Sequence, residues 1–185
     1  MRIIGGSYKG RLIRPPGNLP VRPTTDMAKE SLFNILNNRI DFEGIAVLDL
    51  FAGTGSISYE FASRGAEEVI SVDLNKNCID FIKKTEQFFQ FKNMKVIRAD
   101  AFKFIQNSYS KYDIIFADPP YDLDGADELP RLISASEILK PSALFILEHS
   151  SKFDFSKSDF FIERRNYGKV NFSFFKNKQE IQSIT

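Results

Sequence analysis

The chain has 185 residues, 43% of them hydrophobic and 26% charged, which is typical of one soluble domain with a packed core. Its single cysteine, Cys78, excludes an internal disulfide and is expected to be a small buried residue of a helix. No apolar run approaches the roughly 18 residues of a membrane span, and the N-terminus lacks the apolar stretch of a signal peptide, so we expect a cytoplasmic protein.

The net charge of +1 conceals a basic segment at the N-terminus. Residues 1–25 contain five cationic side chains and no acidic one, which leaves a net charge of −4 for the rest of the chain. A basic arm on a slightly acidic body favours contact with phosphates, although a solvated tail without a partner has the same composition. The five cations are Arg2, Lys9, Arg11, Arg14 and Arg22.

The first predicted element is an arm over residues 1–24, whose glycines and prolines indicate an extended or hairpin-like path. A helix capped by Thr24, Thr25 or Asp26 then runs to about residue 37. Its apolar face is predicted to consist of Ala28, Leu32, Ile35 and Leu36. We expect the main domain to cover residues 25–176 and to be followed by a polar tail over residues 177–185.

From residue 45 onward, short apolar runs alternate with helical segments. The predicted strands cover residues 45–50, 69–73, 95–100, 112–117 and 143–148, and the predicted helices cover residues 56–63, 76–91, 101–108 and 126–139. Near-continuous apolar strands separated by helices indicate a parallel sheet with both faces covered. Residues 160–165 and 169–175 flank a glycine turn and predict an antiparallel hairpin. The expected fold is therefore α/β and Rossmann-like, with a mixed, mostly parallel seven-stranded sheet.

The first predicted strand leads into a glycine-containing loop, with the sequence DLFAGTGS at residues 49–56. Doubly wound folds bind ligands at such loops, because Gly53 and Gly55 admit a close approach and the helix N-terminus favours a carboxylate. Asp73 ends the second strand 20 residues after Gly53, the usual place of an acid that binds ribose hydroxyls. Asp100 ends the third predicted strand, where it can accept a hydrogen bond from an adenine amino group.

Two classes of cofactor use this geometry, and position 58 distinguishes them. A dinucleotide site requires a third glycine for close packing of helix on strand, whereas this chain has Ser58. S-adenosylmethionine contains an adenosine, a carboxylate and a sulfonium but no pyrophosphate, so it does not need that glycine. The sequence therefore favours S-adenosylmethionine over a nicotinamide dinucleotide, and glycines that serve only the turn are the remaining alternative.

The fourth predicted strand ends in Asp118-Pro119-Pro120-Tyr121, the most specific motif of the chain. Its two prolines fix the backbone and remove two N–H donors, which leaves a loop rich in acceptors. The amino group of a nucleic-acid base is a poor nucleophile, and acceptors that hold its two hydrogens localise electron density on the nitrogen. The base must also leave its stack, and Tyr121 can stack on it. The alternative interpretation is an ordinary turn after a strand.

Other polar residues are less informative. The only histidine, His149, follows the fifth strand and is either a general base or, as we favour, a hydrogen-bonded residue of the strand end. No group of His, Cys, Asp or Glu has the spacing of a metal site, so no metal is predicted. Arg164, Arg165 and Lys169 flank the hairpin turn, where they either contact RNA or are solvated.

The glycine loop and the Asp-Pro-Pro-Tyr motif resemble motifs I and IV of class I amino-methyltransferases. The sequences MRIIGG at residues 1–6, RPTTD at 22–26 and ESLFN at 30–34 narrow the resemblance to the RsmD family, the bacterial 16S ribosomal RNA guanine-N2 methyltransferases. The similarity covers nearly the whole chain, to about residue 176. Adenine-N6 methyltransferases of DNA and RNA share the Asp-Pro-Pro-aromatic motif, so the N-terminal sequences carry the family assignment.

The resemblance implies transfer of a methyl group from S-adenosylmethionine to N2 of guanine 966 of 16S rRNA in the assembling 30S subunit. The cofactor residues that it implies are Asp49, Phe51, Gly53, Gly55, Asp73, Leu74, Asp100, Ala101 and Phe102. The catalytic residues that it implies are Asp118, Pro119 through its carbonyl, and Tyr121 against the base. RNA contacts are expected from Arg11, Arg22 and Pro120, and we expect a monomer without a metal.

Three rival functions remain open from the sequence. An adenine-N6 methyltransferase of DNA or RNA differs only in its substrate pocket. A non-catalytic RNA-binding assembly factor keeps the fold but has no need for the intact Asp-Pro-Pro-Tyr motif. A nicotinamide oxidoreductase binds a different cofactor on the same kind of loop.

Overall fold

The computed structural model describes residues 1–17, 19 and 26–176. The strands are β1 (Ala46–Leu50), β2 (Glu68–Asp73), β3 (Met94–Arg98), β4 (Tyr112–Ala117), β5 (Leu139–His149), β6 (Phe161–Tyr167) and β7 (Val170–Lys176). The helices are α1 (Asp26–Asn37), α2 (Ser56–Ser63), α3 (Lys76–Phe89), α4 (Ala101–Asn107) and α5 (Leu129–Ala135), with a 3₁₀ turn at Ala126–Glu128 before the last. The alternation of strands and helices confirms the predicted α/β class.

The seven strands have the sheet order β3-β2-β1-β4-β5-β7-β6. β1 and β2, β2 and β3, and β4 and β5 pair in parallel, whereas β7 is antiparallel to both β5 and β6. This confirms the predicted mixed, mostly parallel sheet that ends in an antiparallel hairpin. The chain divides into two compact units, Met1–Ala101 and Phe102–Thr185, each of which is described by itself.

In the first unit, the N-terminal arm forms a short hairpin against α2. Arg2 and Leu12 form an antiparallel bridge, which confirms the predicted hairpin-like path in the described part of the arm. Gly6, at φ +73°, lies so close to α2 that a Cβ atom there would be 1.8 Å from the carbonyl oxygen of Ser63. The buried side chains of Ile3 and Ile13 anchor the hairpin, so its cationic side chains are presented on a fixed scaffold.

α1 covers Asp26–Asn37 and ends where predicted, but its buried face lacks the predicted Ile35 and also includes Lys29 and Phe33. Ile35 is only partly buried, whereas Phe33 is fully buried and packs against the rings of Phe42 and Phe61. The buried face of α1 is therefore wider than predicted. Phe33 lies beside the predicted apolar stripe, but its long aromatic side chain still reaches the core. The alternative caps Thr24 and Thr25 lie outside the described residues.

In the second unit, the predicted helix over residues 126–139 is too long. α5 ends at Ala135, the chain reverses through Glu137 at φ +57°, and β5 already begins at Leu139. Ile138 and Leu139 continued the apolar pattern of a helix, but they are buried beside β4 instead, where Leu139 pairs with Tyr112. The fifth strand is consequently four residues longer at its start than the predicted segment over residues 143–148.

Smaller differences affect the ends of three other elements. β3 ends at Arg98, so Asp100 follows the strand instead of ending it. α3 ends at Phe89, because Gln90 adopts a left-handed conformation at φ +58°. The hairpin turn consists of Gly168 and Lys169, one step beyond the predicted turn, since β6 continues to Tyr167.

Two expectations from the composition concern the burial of Cys78 and the lack of a membrane-spanning segment. Cys78 is fully buried in α3, as predicted, and burial raises the pKa of its thiol to about 11. The thiolate that reacts with oxidants and metals is therefore disfavoured. None of the helices in the described part of the chain combines the length and the apolar character needed to cross a bilayer.

Candidate active site

In the first unit, the carboxyl ends of three adjacent parallel strands bring together most of the predicted cofactor residues. The loop after β1 is attached to the end of β2, because the amide of Ala52 donates to the carbonyl of Val72 over 3.0 Å. The end of β3 is attached in the same way, with the amide of Ala99 donating to the carbonyl of Asp73 over 3.1 Å. Doubly wound sheets bind their ligands at this edge.

Backbone conformations that favour glycine shape the loop between β1 and α2. Gly53 has φ +54° and Gly55, the residue that precedes α2, has φ +78°. A side chain at Gly55 would also be obstructed, since a Cβ atom there would lie 2.8 Å from the ring of Tyr59. Phe51 adopts φ +61°, which is uncommon for an aromatic residue and is often associated with functional loops.

Ser56, the first residue of α2, was not predicted as a site residue. Its Oγ atom is buried and has no hydrogen-bond partner among the described residues. It lies at the N-terminus of an eight-residue helix, where a negative group is favoured. Its position directly after the Gly-Thr-Gly sequence was the signal that the sequence interpretation did not use.

Asp73 is held in place by the glycine loop. One of its carboxylate oxygens accepts the amide of Gly53 over 2.8 Å, and the other accepts the amide of Asn75 over 2.7 Å. A carboxylate accepts hydrogen bonds at about four lone-pair sites, so this one retains capacity for ribose hydroxyls. Leu74, 60% exposed, adds an apolar surface beside it that suits a purine ring. An acceptor for hydroxyl groups beside an exposed apolar side chain is suited to an adenosine.

Asp49 lies beneath the loop, in the interior of the unit. Its carboxyl accepts the hydroxyl of Ser58 over 2.5 Å, and Ser58 accepts the hydroxyl of Ser71 over 2.7 Å. Burial raises the pKa of Asp49 from its ordinary value of 3.8 to about 7, against the lowering effect of the Ser58 hydrogen bond. Asp49 therefore supports the loop from below, and its predicted contact with a cofactor stays a prediction.

Replacing Asp49 with asparagine is expected to stabilise the protein more at pH 8 than at pH 4.5. The unfolded carboxyl ionises near pH 3.8 and the folded one near pH 7, so rising pH favours the unfolded state of the wild type across that window. The full effect is about 4 kcal/mol, and asparagine removes it while keeping an acceptor for Ser58. Urea unfolding at both pH values measures it, with exposed Asp80→Asn as the control. An equal effect of Asp49→Asn at both pH values would contradict the buried, neutral carboxyl.

The remaining cofactor residues follow β3. Asp100 is partly buried, and Ala101, buried at 5% exposure, begins α4. Phe102 is the first residue of the second unit, and its ring lies against Gly125, where a Cβ atom would be 3.8 Å away. Asp100 follows its strand closely enough to keep the position at the sheet edge that was predicted for an adenine contact.

In the second unit, the Asp-Pro-Pro-Tyr motif directly follows β4. Asp118 is partly buried, Pro119 is buried, and Tyr121 is 45% exposed. The carbonyl of Pro120 accepts the amide of Leu123 over 2.9 Å, which closes the turn after the prolines. The motif therefore forms a rigid loop with an accessible aromatic ring, as the sequence predicted.

This loop forms one wall of a cavity that is open to solvent, with about 220 Å³ of empty space when the solvent-open part is included. The cavity is mostly apolar and aromatic, and among the described residues that line it Glu148 is the only acidic one. The lining residues are Pro119, Pro120, Tyr121, Ala126, Leu147, Glu148, His149, Phe153 and Phe155. The sequence interpretation missed Glu148 and the two phenylalanines, although Glu148, like Asp49, is an acidic residue one position before the end of an apolar strand.

His149 has the structural role that was favoured over general-base catalysis. Its Nδ1 atom lies 2.8 Å from the carbonyl oxygen of Ser150, and its Nε2 atom lies 2.8 Å from the hydroxyl of Ser173. Burial lowers its pKa, so the neutral form predominates at physiological pH. With both ring nitrogens engaged, the imidazole stabilises the end of β5.

The predicted RNA-contacting cations have different surroundings. Arg11 is exposed on the N-terminal hairpin, whereas Arg22 lies outside the described residues. On the second unit, Arg165 forms a 2.7 Å ion pair with Glu163, while Arg164 and Lys169 are exposed near the hairpin turn. Residues 1–17, 19 and 26–176 contain no group of three or more potential metal ligands.

Comparison with known sequences finds one family and its relatives over most of the chain. Residues 1–176 match the family described as Conserved hypothetical protein 95. The Bacillus subtilis protein named "Putative rRNA methyltransferase YlbH" is 32% identical over 96% of this chain and 100% of its own length. The Ribosomal RNA small subunit methyltransferase D of Haemophilus influenzae is 33% identical over 80% of this chain and 78% of its own.

Solved structures give the same result for the fold. The Escherichia coli protein titled "Putative methyltransferase yhhF" superposes with a TM-score of 0.83 at 26% identity, over 96% of this chain and 97% of that one. A Thermus thermophilus 16S rRNA N2 G1207 methyltransferase, solved with AdoMet and guanosine, has a TM-score of 0.68 at 22% identity. It covers 84% of this chain and 44% of that one, and it is a likeness of fold. The predicted class I methyltransferase fold is confirmed.

Proposed function

Because the chain belongs to the RsmD family of ribosomal RNA small subunit methyltransferases, we propose that it methylates N2 of a guanine of 16S rRNA, guanine 966, during assembly of the 30S subunit. Its cofactor is S-adenosylmethionine, and its reaction class is methyl transfer to RNA. The observation that carries methyl transfer to a base amino group is the acceptor-rich Asp118–Tyr121 loop, of which Pro119, Pro120 and Tyr121 line an aromatic cavity. Membership of the family favours guanine over adenine.

The first unit supplies the residues that hold the cofactor. Asp73, oriented by two backbone amides, accepts the ribose hydroxyls, and Leu74 covers one face of the adenine. The helix N-terminus after Gly55, with the Ser56 hydroxyl, faces the carboxylate end. The bound cofactor supplies an electrophilic methyl group on a sulfonium, so no metal is needed.

Replacing Asp73 with asparagine is expected to weaken binding of S-adenosylmethionine about 10- to 100-fold. The substitution removes the charge that strengthens hydrogen bonds from ribose, a loss of about 1.5–3 kcal/mol, and places an NH₂ group against a backbone donor. Isothermal titration calorimetry measures the Kd, and Asp80→Asn on the exposed face of α3 is the matched control. An unchanged Kd for Asp73→Asn would remove this carboxylate from the cofactor site.

The second unit supplies the residues that hold the base. The Asp118 carboxylate and the Pro119 carbonyl accept the two hydrogens of the amino group, so electron density stays on the nitrogen as positive charge develops there. Tyr121 stacks on the unstacked guanine, an interaction of about 1–3 kcal/mol. Because these acceptors are fixed before the base arrives, little reorganisation is needed during the transfer.

The N-terminal hairpin supplies a contact for the RNA backbone. Arg2, Lys9, Arg11 and Arg14 are exposed on it, and no acidic residue lies within the first 25 positions. Cations that neutralise phosphates make affinity fall with salt and do not read sequence. Arg11 and, by its position in the sequence, Arg22 are therefore proposed to position the RNA, while the cavity selects the base.

Transfer of a labelled methyl group from S-adenosylmethionine tests this proposal. The acceptors are 30S particles and naked 16S RNA, both from a strain that lacks the enzyme. Incorporation into 16S RNA of the particles supports the function, and the ratio between the two acceptors reports the assembly state that is recognised. Digestion of the labelled RNA to nucleosides then identifies the base: label in N2-methylguanosine supports the proposal, and label in N6-methyladenosine favours the adenine enzyme. Label in neither RNA substrate favours the non-catalytic assembly factor.

A further inference from the structure

Glu148 is a second acidic residue at the cavity whose wall includes Pro119, Pro120 and Tyr121 of the Asp-Pro-Pro-Tyr loop. β4 and β5 are parallel neighbours, and Ala117 pairs with Leu147. The next residue on each strand is acidic, so Asp118 and Glu148 occupy adjacent positions at this edge of the sheet. Glu148 is only 4% exposed and lines the cavity together with Pro119 and Tyr121. Two carboxyl groups therefore belong to adjacent strands beside this apolar cavity, Asp118 directly after β4 and Glu148 near the end of β5.

The surroundings of Glu148 make it the polar feature of an otherwise apolar wall. Phe153, Phe155 and the two prolines line the same cavity. His149, the other titratable residue of that wall, directs both ring nitrogens to Ser150 and Ser173. A ligand that brings a hydrogen-bond donor to a buried carboxyl group stabilises that group further.

Guanine has such donors on its Watson–Crick edge. N1–H and the N2 amino group lie side by side, whereas adenine has a lone pair at N1 beside its amino group. An ionised carboxylate only accepts hydrogen bonds, so it attracts the N1–H of guanine and repels the N1 lone pair of adenine. Enzymes that act on an extruded base read this edge with hydrogen bonds.

We propose that Glu148 is a specificity-determining residue that accepts the N1–H of the target guanine, beside the amino group held by Asp118. The inference rests on the proposed function, because it assigns a second contact to the same bound base. It explains how a motif shared with adenine enzymes selects guanine: the Asp-Pro-Pro-Tyr loop recognises an amino group, and Glu148 recognises the ring nitrogen next to it. Glu148 thereby sets the choice of base, while Asp118 acts on the reacting nitrogen.

A guanine analogue without the N1 hydrogen tests this assignment. 2-Aminopurine keeps the N2 amino group but has a lone pair at N1, so it lacks the donor that Glu148 accepts. 30S subunits are reconstituted with 16S RNA that carries either guanine or 2-aminopurine at the target position, and kcat/KM for methyl transfer is measured for both. The wild type is expected to prefer guanine about 10- to 100-fold, the usual range for one well-formed base contact.

The Glu148→Gln variant should reduce this preference to about threefold or less, because the amide can donate to the N1 lone pair of 2-aminopurine. Glu148→Asp, which keeps the charge, should retain most of the preference, and Glu128→Gln on the exposed 3₁₀ turn should match the wild type. Calorimetry with S-adenosylmethionine confirms that each variant is folded.

The outcomes separate the two proposals. If the wild type does not methylate guanine, the proposed function fails. If it methylates guanine but Glu148→Gln keeps the wild-type ratio, or loses activity equally on both bases, the function stands and the role of Glu148 in base selection is overturned.

Discussion

Replacing Asp118 with alanine is expected to reduce kcat for methyl transfer at least 100- to 1000-fold while leaving the affinity for S-adenosylmethionine unchanged. Removal of one preorganised group that stabilises developing charge has about this effect in other enzymes. Cofactor affinity is preserved because the predicted cofactor contacts, apart from Phe102, belong to the first unit, whereas Asp118 belongs to the second. Single-turnover transfer to 30S particles measures the chemical step, and calorimetry measures the cofactor Kd.

The asparagine variant distinguishes charge from hydrogen bonding at this position. The Asp118→Asn substitution keeps one acceptor oxygen, so this variant should retain more activity than Asp118→Ala. Asp127→Ala, at an exposed position of the 3₁₀ turn, controls for loss of a surface charge in the same unit. Near wild-type turnover of Asp118→Ala would remove the carboxylate from the reaction and leave the motif as a turn.

Replacing Glu60 with alanine is expected to lower the free energy of unfolding by about 3–5 kcal/mol, the cost of removing one partner of a buried ion pair. Glu60 is fully buried and forms a 3.3 Å ion pair with Lys29, which is itself 1% exposed. It also accepts the amides of Ile4 over 2.6 Å and of Gly5 over 3.3 Å. Alanine therefore deprives a buried ammonium and two backbone donors of this acceptor.

The same substitution should loosen the start of the N-terminal hairpin on α2, since Glu60 accepts the amides of Ile4 and Gly5, while the hydrogen bonds to Ser63 remain. Limited proteolysis is expected to cleave the first residues faster in Glu60→Ala than in the wild type, and the unfolding free energy from urea titration gives the energetic cost. Glu68, whose ion pair with Lys95 is exposed, is the matched control and should change stability by about 0–1 kcal/mol. Equal effects at the two glutamates would show that the hairpin is held by other contacts.

The sequence predicted the fold well because its signals are local. Most of the predicted strands are short, nearly continuous apolar runs, and this pattern is typical of strands that are covered on both faces. The end of α5 could not be predicted, because Ile138 and Leu139 are apolar in either structure. Their strand conformation depends on β4, whose residue Tyr112 is far away in the sequence.

Site residues at the ends of strands were predicted from the sequence. Site residues that only tertiary packing brings to the cavity were missed. Asp73 was identified from its spacing, and its hydrogen bond to Gly53 agrees with that prediction. The burial of Asp49 on Ser58 was not apparent, because the sequence does not show whether an acidic residue at the end of a strand faces a ligand or the core. Phe153 and Phe155 reach the cavity from an irregular segment whose path has no periodic signal.

The central claim is that the Asp118–Tyr121 loop presents the amino group of a guanine, not of an adenine, for methylation. Mass spectrometry of the 16S RNA fragment containing guanine 966, from a strain that lacks the gene, tests this claim most directly. We predict that N2-methylguanosine disappears from this fragment and returns with the wild-type gene but not with the Asp118→Ala gene. Unchanged N2-methylguanosine in the deletion strain, or loss of N6-methyladenosine in its place, would contradict the account.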